Sequence, residues 1–86
     1  MNQDELNRRL RTVVLELEPH LQATEVEDIL DYIDHNEPGV AFEMLCSQLY
    51  EHDAELNLRL AERIAELGSA MGLPARRWEI LRVMNG

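Results

Sequence analysis

This chain contains no lysine. All eight of its basic residues are arginine, set against 17 acidic ones, for a formal net charge of −9. From Thr12 to Leu58 basic residues are absent altogether, while twelve carboxylates fall in that stretch. Nucleic acid is bound through clustered cations, so this balance disfavours it as a direct partner. The single cysteine, Cys46, excludes an intramolecular disulfide and suits a reducing compartment. No apolar run exceeds three residues, as in Val13-Val14-Leu15, far below the ~20 needed to span a bilayer. The opening MNQDELNRRL lacks the apolar core of a secretory signal. A cytoplasmic protein with no membrane association is expected. Aromatics are scarce too: Tyr32, Phe42, Tyr50 and Trp78 are the full set, which leaves a core built mainly of leucine, isoleucine and valine.

What remains is helical in pattern. At 86 residues the chain suits a single domain with one modest core, residues 1–86. Alternation of period two is missing, and no segment reads convincingly as a strand. A first helix is expected from Asp4 to Glu18, with Leu6, Leu10, Val13 and Leu17 on one face and Pro19 ending it. A second starts at Thr24, where Thr24 and Glu27 read as a capping box. It buries Val26, Ile29, Leu30 and Ile33, and its opposite face carries Glu27, Asp28, Asp31 and Asp34. Pro38 opens a third helix reaching His52, with Ala41, Phe42, Leu45, Cys46 and Leu49 inward. Asp53 is placed to cap a fourth, loosened by Gly68 and ended by Gly72. Pro74 then opens a short fifth helix carrying Trp78 and Leu81. The fold expected is all-α, a compact bundle of four to five short helices.

Catalytic and metal chemistry find little purchase. Cys46 falls mid-way along an apolar face and reads as a core thiol, and His52 lies about 120° from it around the same helix. His20, His35 and His52 lack metal-ligand spacing, and no glycine-rich phosphate loop is present. Glu37 and Glu43 as an acid/base pair have neither a nucleophile nor an oxyanion site to work with. No enzyme activity, cofactor or metal is expected. The clustered arginines, Arg76, Arg77 and Arg82 among them, are expected to pair with carboxylates of neighbouring helices or to coat the surface.

The acidic middle is different. A face that serves only solubility normally mixes signs, whereas here one sign is excluded over a long stretch, and Tyr32, Val40, Met44 and Tyr50 fall at or beside the polar faces. Apolar side chains within a charged rim have the composition of an interface, although Tyr32 and Tyr50 read equally well as core-edge residues. Met44 is the stronger anchor candidate, about 100° from the buried centre of its helix. A negative surface with apolar anchors predicts a basic protein partner. Basic surfaces in the cytosol commonly serve to bind nucleic acid, so a protein of this kind would block one by occupying its phosphate-binding site.

The segment HNEPGVAFEMLCSQLYEHD, with Glu37, Ala41, Glu43, Leu45, Leu49 and Glu51, resembles the small immunity proteins of bacterial polymorphic-toxin and contact-dependent growth inhibition systems, in particular the Maf-type immunity proteins. AERIAELGSAMGLP is similar to that family's later helix and small-residue turn, and the likeness covers residues 24 to 82. The resemblance implies a non-enzymatic inhibitor that binds the C-terminal domain of one cognate toxin in the producing cell's cytoplasm, the toxin being a basic, nuclease-type protein. Glu27, Asp28, Asp31, Asp34, Glu37 and Glu43 would then supply charge, with Tyr32 and Met44 as anchors. The alternative from another class is a small acidic helical adaptor or regulatory subunit docking a basic partner, or self-associating through its arginine-rich ends. The oligomeric state is open, with a monomer slightly favoured.

Overall fold

A computed structural model describes residues 1–84. Helix α1 (Gln3–Glu16) is followed by a 3-10 turn at Glu18–His20, then α2 (Ala23–Asp34), α3 (Pro38–Glu51), strand β1 (Glu55–Leu56), α4 (Leu58–Ala70), α5 (Arg76–Glu79) and strand β2 (Arg82–Val83). The fold is all-α, as expected. Two strands that the sequence did not suggest pair in parallel, Glu55 with Arg82 and Leu56 with Val83. At two residues each they are too short to generate an alternating pattern.

Each helix boundary has a local cause. The Asn2 side chain accepts the Glu5 N–H at 2.8 Å and caps α1, and Glu5 pairs with Arg9 one turn on at 2.7 Å. The helix stops at Glu16, two residues short of expectation. Pro19 has no N–H to give Leu15, so the chain tightens, with His20 N–H on the Leu17 carbonyl at 2.9 Å. Helix α2 begins at Ala23, and the Thr24–Glu27 capping box is not formed. Instead the Glu25 carboxylate reaches back to the Gln22 N–H at 2.8 Å. Asn57, and not Asp53, caps α4 by accepting the Leu60 N–H at 2.8 Å.

Three helices end in the same way. Asn36 (φ +58°), Asp53 (φ +51°) and Gly72 (φ +71°) take the left-handed conformation after α2, α3 and α4 respectively. Each time, two N–H groups turn back on the helix's last carbonyls: Asn36 to Ile33 with Glu37 to Tyr32, Asp53 to Tyr50 with Ala54 to Leu49, and Gly72 to Ser69 with Leu73 to Gly68. Asp53 thus closes α3, which is why it is not free to open α4. Asn36 has a further role: its Oδ1 accepts from Gln3 Nε2 and Asn7 Nδ2, both at 3.0 Å, and ties the α2–α3 turn to α1.

The core gathers Leu10, Val14 and Leu17 from α1, Ile29 and Ile33 from α2, Phe42, Leu45 and Leu49 from α3, and Leu60, Ile64 and Leu67 from α4. Helix α3 carries the widest share, burying Pro38, Ala41, Phe42, Leu45, Cys46 and Leu49, and α1, α2 and α5 all pack against it. Gly68 does not loosen α4. It lies buried where the Trp78 ring seats, and a Cβ there would stand 2.2 Å from Trp78 Cζ3. Trp78 in turn meets Phe42 edge-on, centroids 5.9 Å apart, which fastens α5 to the bundle. Among the described residues no helix is long and apolar enough to cross a membrane.

Candidate partner-binding surface

Folding redistributes the charge that the sequence segregates. Four arginines from the two ends lie on carboxylates of the middle: Arg11 on Asp34, Arg59 on Glu16 at 3.2 Å, Arg77 on Glu43 at 3.1 Å, and Arg82 on both Asp53 at 2.7 Å and Glu55 at 3.4 Å. The acidic middle is therefore not one continuous anionic surface. Such exposed pairs add little stability singly, but they decide where negative charge is left over.

Glu18 and Glu51 are exposed and meet no arginine among the described residues, but they stand apart from each other; the leftover charge is gathered on the outer face of α2. Glu27, Asp28 and Asp31 are exposed and, among the described residues, meet no arginine. They share that face because positions i, i+1 and i+4 lie within about 100° of one another on a helix whose opposite side buries Ile29 and Ile33. Glu37, also exposed and unpaired among the described residues, follows at the turn into α3. Tyr32, one turn on from Asp28 along α2, is 41% exposed, and Val40, near the start of α3, is 42% exposed. Tyr32 and Val40 flank the turn that Asn36 closes.

The other expected site residues lie elsewhere. Asp34 is exposed but neutralised by Arg11. Glu43 faces α5 instead of α2, where with Ser47, Tyr50, Glu51 and Arg76 it borders a separate depression. Met44 is partly buried against the core and is not available as a free anchor. Its position well off the centre of α3's apolar face does not expose it, because α3 is covered on more than one side. Tyr50 is exposed at 58%, but it borders the α5 depression with Ile80 and so lies apart from the α2 face.

Two histidines take part that charge patterning did not single out. His35 sits on the acidic face, its Nδ1 2.8 Å from the Asp31 carbonyl, and that contact, followed by the Asp31 and Asp34 carboxylates, raises its pKa above the usual histidine value. His52 Nε2 lies 2.9 Å from Glu25 Oε1 and so joins the end of α3 to the start of α2. The Gln22 N–H holds the Glu25 pKa below the usual carboxylate value, helped by His52 against a partial burial penalty. The spacing Gln22-x-x-Glu25 carried the signal for this clasp, although Thr24-x-x-Glu27 is the stronger match to the preferred capping residues. Because His52 is engaged with Glu25, it does not activate Cys46. That thiol is buried and its pKa is pushed up to about 12, chiefly by desolvation.

The arrangement is a patch of three uncompensated carboxylates on one helix face, a fourth at the adjoining turn, two exposed apolar side chains and one titratable imidazole. Chemically it can attract a cationic surface and offer it apolar contact. No family model, curated protein sequence or solved structure matches the chain.

Proposed function

We propose that this chain is a non-enzymatic cytoplasmic binding protein that docks a basic protein surface through the outer face of α2, acting as the immunity partner of a toxin domain in the sense that the resemblance implies. The observation that carries the reading is a grouping within the acidic middle: arginines from both ends cover Glu16, Asp34, Glu43, Asp53 and Glu55, Glu18 and Glu51 stand singly, and Glu27, Asp28 and Asp31 are left open together on one helix face that also carries Tyr32. Unpaired like charges on one face raise the local potential and speed encounter with a cation, while adjacent apolar groups slow dissociation. For a nuclease-type toxin, such a surface competes with the phosphate backbone for the same basic groove.

Self-association through the arginine-rich ends has weaker support, since Arg11, Arg59, Arg77 and Arg82 are already engaged within the same molecule. The test is charge reversal at Asp28→Lys and Asp31→Lys, with association rates measured against any toxin-like C-terminal domain that the neighbouring upstream gene encodes. Slower association at low salt, with little change in dissociation, is expected. Unchanged association would remove the α2 face as the docking surface.

A further inference from the structure

Of the four arginines that do not neutralise the acidic middle, Arg76 borders the α5 depression and the other three, Arg8, Arg9 and Arg63, line one groove. Arg8 on α1 and Arg63 on α4 have no carboxylate partner among the described residues, and both line one groove between these helices. Its volume is about 450 Å³, within the roughly 300–1,000 Å³ of small-molecule sites. Val13 and Leu67 close its floor, but both are only 2% exposed, so the accessible apolar surface comes mainly from the arginine stems and Thr12 along its walls.

Arg9, on the same groove, is already fixed: Nη1 lies 2.9 Å from Glu66 and Nη2 2.7 Å from Glu5, so its guanidinium is held between α1 and α4. Thr12 donates its hydroxyl to the Arg8 carbonyl at 3.1 Å, which leaves anion recognition to the guanidinium groups. Two unpaired guanidinium groups therefore line one concavity beside Arg9, whose charge Glu5 and Glu66 already offset, on a protein whose net charge is −9. Neither Glu27, Asp28 nor Asp31 borders it.

Guanidinium groups present planar, forked donors that match phosphate oxygens. A long polyanion would be repelled by the rest of the molecule, whereas a compact one meets only the local field. We infer that the α1–α4 groove binds a small organic phosphate, with Arg8 and Arg63 recognising the phosphate and the planar Arg9 guanidinium and Thr12 lying along its ring portion.

The probe is AMP, titrated into the full chain at low ionic strength and followed by NMR, with adenosine and inorganic phosphate in parallel. AMP is expected to bind saturably and to shift resonances of Arg8, Thr12 and Arg63. Phosphate should shift the same residues more weakly, and adenosine should leave them in place. Arg8→Gln with Arg63→Gln should weaken AMP binding by at least about tenfold, and the double lysine variant by less. Both side chains are on exposed residues, and an unchanged unfolding midpoint would show that the variants remain folded. Binding that survives the double glutamine change, adenosine acting as strongly as AMP, or no saturation would overturn the assignment. Sedimentation supplies the last arm: an oligomer dissolved by the same two changes would make a second copy the occupant and would also overturn it.

Discussion

Replacing Gly68 with alanine sets two effects of known size against each other. Alanine is the better helix former by about 1 kcal/mol, and Gly68 lies within α4, so propensity alone makes the substitution stabilising. Packing opposes it. The new Cβ would stand 2.2, 2.5 and 2.8 Å from three atoms of the Trp78 ring, and that ring is not a flexible tip that can step aside. It would have to move off α4, and its edge-to-face contact with Phe42 would loosen at a cost of about 0.5–1.5 kcal/mol. Overpacking adds roughly 1–3 kcal/mol more. Packing outweighs propensity, and Gly68→Ala should destabilise the fold by about 1–3 kcal/mol net. Urea unfolding followed by circular dichroism measures this, and Trp78 fluorescence reports any displacement of the ring. The control is the same change in a Trp78→Leu background, where the clash is gone and the propensity gain of up to about 1 kcal/mol should reappear. A Gly68→Ala protein more stable than the parent would refute the packing argument.

Three further outcomes follow from the same structure. Asn57→Ala should cost about 1 kcal/mol in a urea titration, because the Leu60 N–H loses its cap, and amide exchange at Leu60 should quicken in that variant but not in Asp53→Asn, which keeps a residue tolerant of the left-handed backbone. Glu25 has a folded pKa below its unfolded value, so its contribution to stability is present above the unfolded pKa and is lost as pH falls through the folded one; Glu25→Gln should flatten that acid limb in a pH series of melting temperatures. His35 has a folded pKa above its unfolded value, so its stabilising contribution is present below the unfolded pKa and disappears as pH rises through the folded one. The same deprotonation makes the α2 face more negative, so a basic partner should bind more tightly above that pKa than below it, and His35→Gln should remove the dependence, as calorimetry across the range would show.

The helical framework was largely legible because its signals are local. The stripes of α1 and α3 were largely expressed in sequence spacing, and Leu6, Leu10, Val13, Leu17, Phe42 and Leu45 are all buried, joined by Val14, which widens the α1 stripe. Pro38 and Gly72 marked a helix start and a helix end through backbone constraints that they carry in any context. The less legible features are those decided across the fold. Asp53 has the side chain of an N-cap, yet the chain gives it a left-handed C-terminal position and leaves capping to Asn57. Gly68 looked like a weak point in a helix because its reason, the Trp78 ring, is ten residues away.

The candidate site shows the same division. Glu27, Asp28, Asp31 and Tyr32 share a face by helical periodicity alone. Asp34 differs from them through Arg11, and Glu43, on α3, lies apart from them and meets Arg77, both outcomes of how α1 and α5 pack. A charge count along the sequence cannot distinguish a carboxylate that meets an arginine 23 residues earlier, as Asp34 does, from one that meets none. Met44 was lost as an anchor for a related reason, since its exposure depends on how many neighbours surround α3.

The most direct test is a titration of this protein against any toxin-like C-terminal domain that the neighbouring upstream gene encodes, at low and at high salt, with the parent and the Asp28→Lys/Asp31→Lys variant side by side. Tight binding by the parent that weakens with salt, together with a variant that binds weakly at both concentrations, is expected if the α2 face is where the partner docks. Binding of parent and variant that is equal and indifferent to salt would contradict it.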